Sequence, residues 1–322
     1  MKERGIPMEQ LESARERLKD RAKITPLLRA ETLDGLVGGR VYLKPENLQI
    51  TGSFKIRGAT NKLLSLSPKD LKKGVIAASS GNHALGVSYA AEALNTQAVI
   101  VMPVNAPRIK QTKAKALGAE VILHGTTSKE RYDKAAELIQ AHGYTLIHSY
   151  DDEALMAGQG TIGLEIEEAL PGVNQVVVPL GGGGLLSGVV SAIKGKNPNI
   201  KVVGVETEAV PRYTVSLKNG FPTTVKISDT FADGLRVVEP GKRNFEIIRA
   251  LVDEVITVGE EELRRAAKAL YLEGRLVVEP SAAVGLAAAI SGKLTIRNND
   301  QVCFLLSGGN LDEDKMMEIL EG

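Results

Sequence analysis

The sequence predicts an α/β protein built on open, twisted, mainly parallel sheets with helices on their faces. Three observations lead there. Short apolar runs alternate with stretches of helical period along nearly the whole chain. The runs are rich in Val and Ile and mostly lack polar alternation, as expected of strands covered on both faces. Four glycine-bearing turns follow such runs, and open α/β sheets bind ligands beyond the carboxyl ends of their strands.

In chain order, strands are expected at 41–43, 75–78, 98–102, 121–123, 146–148, 176–179, 201–206, 254–258 and 302–306. Helices are expected at 82–94, 107–117, 128–141, 152–169, 260–273 and 281–291. The first strand leads to Thr51-Gly52-Ser53-Phe54-Lys55, with Lys55 at a helix start. The second ends at Ser79-Ser80-Gly81-Asn82-His83, where Ser80 or Asn82 is placed to cap the helix running to Leu94. Lys110, Lys113 and Lys115 recur at helical spacing and read as a solvated face. Strand 176–179 opens onto Gly181-Gly182-Gly183-Gly184 and a helix beginning near Leu185. Segment 211–239 is the least regular and is expected to hold loops and short elements. In 260–273, Leu263, Ala266, Ala267 and Leu270 share one helical face. The last strand holds Cys303 as a small core residue and ends at Ser307-Gly308-Gly309-Asn310. No low-complexity tract, like-charge block or fixed-period repeat divides the chain. Two domains, if present, must therefore pack closely, and one can be inserted in the other.

A chain of 322 residues is long enough for a sizeable core, as one large domain or two ordinary ones. Its 40 basic and 39 acidic residues leave a net charge of +1, which points to neither nucleic acid nor an anionic membrane as partner. A single cysteine excludes an intrachain disulfide and fits a reducing, cytoplasmic compartment. No uncharged apolar run reaches ~18 residues, so no membrane span is expected, and the charged stretch 1–11 is no secretory signal. The four histidines show no metal-ligand spacing with each other or with Cys303. A dinucleotide fingerprint fails because Leu185 stands where the middle glycine would, between Gly183 and Gly188.

What remains is anion and amine chemistry. Four consecutive glycines exceed what a tight turn requires and let several backbone N–H groups converge on an anion at a helix start. Lys55 beside Phe54 at a glycine turn is suited to desolvation and a lowered pKa, as Schiff-base chemistry needs; the alternative is an ordinary solvated lysine. Ser80-Gly81-Asn82-His83 can present hydroxyl, amide and N–H groups to a carboxylate, or simply cap its helix. Ser307 offers a hydroxyl at the sheet edge, or completes a turn.

Together these motifs carry a resemblance. Lys44-Pro45-Glu46-Asn47-Leu48-Gln49 followed by Thr51-Gly52-Ser53-Phe54-Lys55-Ile56-Arg57-Gly58-Ala59 resembles the lysine segment of fold-type II (tryptophan synthase β-like) pyridoxal-phosphate enzymes. The order of Ser-Ser-Gly-Asn-His, tetraglycine and Ser-Gly-Gly-Asn matches as well, over nearly the whole chain. Phe54, Ser80-Gly81-Asn82-His83-Ala84 and Asp233-Gly234 are similar to the serine/threonine dehydratase and serine racemase branch.

The resemblance implies two domains, a large one at 1–71 and 149–322 and a small inserted one at 72–148, with pyridoxal 5'-phosphate in the cleft. It implies that Lys55 holds the cofactor covalently and acts as general base. Gly181, Gly182, Gly183 and Gly184 would bind the phosphate, Asn82 the ring hydroxyl, and Ser307 the pyridine nitrogen, with Phe54 packed near the ring. Ser79, Ser80, Gly81, Asn82 and His83 would receive the substrate, with Gly234 lining the pocket. The implied reaction is β-elimination from a small amino acid, L-threonine or L-serine, to a 2-oxo acid and ammonia. Serine racemisation, with Ser80 as a second catalytic group returning a proton, is the competing activity. A 3-hydroxyaspartate ammonia-lyase and a non-catalytic binder are further alternatives. A homodimer or homotetramer is implied, and a C-terminal regulatory domain is not expected. The branch often holds a divalent cation after the strand ending at Glu206, but Arg212 stands where a later acidic ligand would, and a guanidinium cannot ligate a cation. No metal is expected there.

Overall fold

A computed structural model of the chain describes residues 4–106 and 108–321. Residues 1–3, Gly322 and Pro107, which heads one expected helix, lie outside them. Among the described residues ten strands form two sheets. The larger sheet holds β1 (Leu28–Arg29), β2 (Arg40–Pro45), β7 (Gln175–Pro179), β8 (Lys201–Thr207), β9 (Glu254–Val258) and β10 (Gln301–Leu306), in the order β1-β2-β10-β7-β8-β9. The smaller holds β3 (Val75–Ala78), β4 (Ala98–Met102), β5 (Glu120–Leu123) and β6 (Thr145–Leu146), in the order β5-β4-β3-β6. Every pairing is parallel except β1 with β2.

The larger sheet shows why its strands lack polar alternation. Val177, Val203 and Phe304 enter one core, which includes the helix Pro280–Ile290. Val176, Val178, Val202 and Leu305 enter the other, against the helices Glu153–Ala169 and Gly184–Lys196. Successive side chains point to opposite faces, and both faces are covered. Cys303 belongs to the second core, where burial pushes its thiol up to about 12.

Several local expectations change. Strand β1 has only two residues, too short for a periodic signal, and pairs antiparallel. The strand expected at 146–148 pairs only as far as Leu146. His148 instead turns back, and its Nδ1 accepts the N–H groups of Tyr150 and Asp151 at 3.3 and 2.8 Å. Neither Ser80 nor Asn82 caps the helix Asn82–Ala93; Gly81 occupies the cap position and no side chain bonds the first turn. The irregular segment 211–239 does hold loops and short elements as expected, opening with the helix Arg212–Asn219 and later making a 3-10 turn, Asp233–Leu235.

Helix Glu153–Ala169 joins the two parts that carry the chemistry. On one side Gly158 lies against the Arg57 carbonyl of helix Lys55–Leu64. On the other, Gly188 of helix Gly184–Lys196 lies on the Met156 carbonyl, with no space for a Cβ. Overpacking against rigid backbone costs roughly 1–3 kcal/mol. Gly188→Ala is expected to lower the unfolding free energy by that amount, read as a lower urea midpoint with an unchanged denaturant slope. A midpoint equal to wild type would show that these helices do not constrain one another.

Candidate active site

The glycine turns at 51–55, 79–83 and 307–310 are knotted together. Ser53 bridges to Gly308, the Phe54 N–H donates to the Ser307 carbonyl at 3.1 Å, and the Gly309 N–H donates to the Gly52 carbonyl at 2.9 Å. Asn310 Nδ2 donates to the Thr51 carbonyl and to Asn82 Oδ1, both at 2.8 Å. Gly52 has φ +74°, in the left-handed region, and a Cβ there would press on the Asn310 carboxamide.

The tetraglycine turn joins through residues 149–150. Lys55 Nζ donates to the Ser149 carbonyl at 2.5 Å, and the neighbouring Tyr150 packs on Gly182 and Gly184, leaving no space for a Cβ at either. Gly183 is left-handed at φ +106° and is pressed by the Tyr213 hydroxyl. In the direction of a Cβ, Gly181 faces the Gly234 carbonyl at 3.6 Å. The Gly234 N–H donates to Ser281 Oγ at 2.8 Å. All four turns thus surround one cleft at the carboxyl ends of the strands.

Lys55 is at its floor, with Nζ 5.2 Å from the Phe54 ring centroid. Burial pushes its pKa down to about 8, opposed by the negative charge of Glu279. The ordinary lysine value is 10.5, so in the cofactor-free protein Lys55 becomes a neutral amine some two units earlier than surface lysines do. Its trapping by a neutral aldehyde and borohydride should level off above about pH 8, while surface lysines keep gaining reactivity to about 10. Mass-spectrometric mapping would read this. A Lys55 profile that tracks the surface lysines would remove the desolvated lysine.

His83 lies beneath the Ser-Gly-Asn turn and is buried. Its Nε2 pairs with the Ile147 carbonyl at 2.9 Å. Burial first, and the charge of Lys55 second, push its pKa down to about 3. The ring is neutral and offers no charge to a substrate carboxylate. Ser79, Ser80, Gly81 and Asn82 are half-buried at the start of their helix, and Ser307 is buried at the end of β10. The starts at Asn82 and Gly184 carry neither a side-chain cap nor an acidic residue in the first turn, so both retain positive ends toward the cleft.

Two residues of the cleft escape sequence reasoning. Glu279 stands at the cap position of helix Pro280–Ile290, but its side chain makes no capping bond; its carboxylate accepts from Asn82 Nδ2 at 2.9 and 3.1 Å and sits over Gly308. Burial raises its pKa, against Asn82, Lys110 and Lys55, which lower it. It is one of 39 acidic residues and has no glycine beside it; the available signal is its place after the apolar run 276–278 and directly before Pro280. Tyr150 gives no signal at all, because its contacts with the glycines exist only after folding.

These residues fit pyridoxal phosphate. A desolvated amine suits the aldehyde, and an uncapped glycine-walled helix start suits the phosphate. Around the lysine turn, Thr51 Oγ1, Ser53 Oγ and His83 Nδ1 are buried without a hydrogen-bond partner among the described residues, so polar groups remain for a ring. A cation beside Glu206 does not fit. The Glu206 carboxylate accepts from Tyr213 N, Thr214 N and Thr214 Oγ1 at 2.8–3.0 Å, and Arg212 Nη1 stands 3.7 Å away. Among the described residues no cluster of three His, Cys, Asp or Glu side chains could hold a metal.

Comparison with known proteins identifies the family. The family model described as pyridoxal-phosphate dependent enzyme matches residues 18–308. The chain is 45% identical over 315 residues to L-threonine ammonia-lyase from Thermotoga maritima, covering 98% of this chain and 78% of that protein. It superposes on the crystal structure of a T.th. threonine deaminase with a TM-score of 0.89 at 43% identity, covering 95% and 98% of the two chains. Serine racemase from Dictyostelium discoideum superposes with a TM-score of 0.90 at 36% identity, covering 95% and 99%. By its family match, its identity to these proteins and its superposition on them, the chain belongs to the fold-type II pyridoxal-phosphate-dependent enzymes, in the group of threonine ammonia-lyases and serine racemases.

Proposed function

We propose that the protein is a threonine/serine ammonia-lyase, which converts L-threonine to 2-oxobutanoate and L-serine to pyruvate, each with release of ammonia. The observation that carries this reading is the desolvated Lys55 at the meeting point of the four glycine turns, in a chain 45% identical to an L-threonine ammonia-lyase. When bound, pyridoxal phosphate supplies the electron sink that makes removal of a Cα proton feasible.

The chain's own residues supply the rest. Lys55 holds the cofactor between turnovers and, as a neutral amine, accepts the Cα proton. Its lowered pKa makes the neutral form available near physiological pH. The N–H groups of the tetraglycine turn bind the phosphate. Phe54 walls the site, and Ser307 meets the ring nitrogen with a neutral hydroxyl. Asn82, held by Glu279 and Asn310, presents its carboxamide to the ring oxygen. Ser79, Ser80 and Gly81, with the free N–H groups that follow, hold the substrate carboxylate against a positive helix end, and Gly234 borders the pocket. The proton taken from Cα balances departure of the β-hydroxyl as water; the enamine that remains tautomerises to an imine, which water hydrolyses to the 2-oxo acid and ammonia.

A second reading is serine inversion. Ser80 stands in the substrate turn, and serine racemases are among the similar structures. Incubation with L-threonine and L-serine, assayed for 2-oxo acid and for D-serine, separates the two. Product from L-threonine supports the lyase; D-serine without 2-oxo acid replaces it with the racemase. The unit 72–148 contributes β3 to β6 and, in this reading, closes over bound substrate to exclude water. A homodimer or homotetramer in the cytoplasm completes the proposal. Among the described residues no helix is long and apolar enough to cross a membrane.

A further inference from the structure

The tetraglycine turn has a back as well as a front. Its carbonyls are tied down behind the cleft by two consecutive residues of the helix Arg212–Asn219. Arg212 Nη1 donates to the Leu180 and Gly181 carbonyls at 2.7 and 2.8 Å, and Nη2 donates to the Leu235 carbonyl at 2.7 Å. Tyr213 Oη donates to the Gly182 carbonyl at 3.0 Å. Three successive carbonyls of the turn are therefore held from one side, together with the carbonyl next to Gly234.

A trans peptide unit is planar, and its C=O and the following N–H point in opposite directions. Holding the Leu180, Gly181 and Gly182 carbonyls thus fixes the directions of the Gly181, Gly182 and Gly183 N–H groups. Glycine is the residue least able to hold such a direction unaided. The clamp supplies the restraint that the turn gave up when close packing and φ +106° at Gly183 required glycine.

Stability alone does not account for Arg212. The side chain is completely buried, its Nε has no partner among the described residues, and its counter-charge Glu206 is equally buried. Apolar residues of similar volume are often at least as stabilising as such a pair. What they lack is a fixed positive charge with donors converging on carbonyl oxygens. A cation beside Glu206 could supply charge there, but the guanidinium already occupies the place.

We propose that Arg212, seconded by Tyr213, is a positioning residue that sets the affinity of the tetraglycine turn for the cofactor phosphate, and that this built-in cation makes cofactor binding independent of Mg²⁺ and Ca²⁺. This rests on reading the turn as the phosphate cradle, and the experiment is chosen to separate the two claims.

The test compares binding of pyridoxal phosphate and of pyridoxal, which lacks the phosphate, to the cofactor-free protein. The chain has no tryptophan, so binding is read from ligand absorbance. Wild type should bind the phosphate form far more tightly, and Mg²⁺, Ca²⁺ or a chelator should leave that affinity unchanged. Arg212→Met/Glu206→Gln removes the clamp without leaving a buried unpaired charge. It should lose at least about 10-fold in affinity for pyridoxal phosphate and none for pyridoxal. Should this pair fail to fold, Arg212→Lys keeps the charge with fewer aligned donors and should show the same phosphate-specific loss, smaller in size. Equal losses for both ligands, or no loss, would overturn the clamp. A wild-type affinity that rises with Mg²⁺ or Ca²⁺ would overturn the cation independence. A wild type that does not distinguish the two ligands would instead refute the phosphate cradle.

Discussion

Lys55→Ala is expected to lower 2-oxo acid formation from L-threonine by at least about 10³-fold while leaving the fold intact, since a positioned general base alone contributes ~10²–10⁴-fold. The loss should be larger than for any other single substitution in the cleft, because in the proposed mechanism one amine both holds the cofactor and takes the proton. Its neighbours His83 and Glu279 are poor replacements. His83 is pushed to about 3 and bonded to the Ile147 carbonyl, and Glu279 is occupied by Asn82. The assay is product formation with saturating cofactor, beside circular dichroism of both proteins. A folded variant retaining a tenth or more of wild-type turnover would remove Lys55 from the centre of the mechanism.

The second large effect concerns stability, two residues along the same helix. Arg57 is buried and bonded to two carboxylates. Nε and Nη2 reach Glu46 at 2.8 and 2.9 Å, and Nη1 and Nη2 reach Glu165 at 2.5 and 2.9 Å. Lys44 Nζ also donates to Glu165, at 2.6 Å, and Thr25 Oγ1 to Glu46, at 2.6 Å. The network ties the lysine helix to β2 and to helix Glu153–Ala169. Arg57→Ala leaves Glu46 buried without its cation, and breaking a buried pair from one side costs about 3–5 kcal/mol. Urea denaturation of the holoenzyme should show that loss. A change below about 1 kcal/mol would mean that water or a rearranged Lys44 compensates the carboxylates. Because the network anchors the helix that begins at Lys55, a weaker hold on the cofactor should accompany the loss.

Much of the site was legible in the sequence because its chemistry imposes local requirements. A backbone cradle for an anion needs glycine, and Gly181, Gly182, Gly183 and Gly184 stand in a row, as the proposed cradle requires. A reactive lysine needs an apolar, close-packed turn, and Gly52-Ser53-Phe54-Lys55 announces one. Helix ends were less legible. Ser80 and Asn82 are good capping residues by type, yet neither caps; Asn82 commits its carboxamide to Glu279 and Asn310 instead. Capping preference is worth about 1 kcal/mol, and a set of tertiary hydrogen bonds outweighs it.

By itself the sequence determined the fold class and the positions of the long strands, because a strand buried on both faces must be an unbroken apolar run whatever its neighbours are. It also determined the glycine turns and Lys55, where one residue type alone satisfies the local geometry or chemistry. Tertiary structure alone decided the strand order, the two-residue antiparallel β1, and the parts played by Glu279, Tyr150, Arg212 and Tyr213. Glu279 meets Asn82 across 197 residues of chain, and Arg212 meets the glycine turn across 31 or 32. A carboxylate, a ring or a guanidinium fits many places in a sequence; the partners that folding brings to it, and the water it loses there, make it functional.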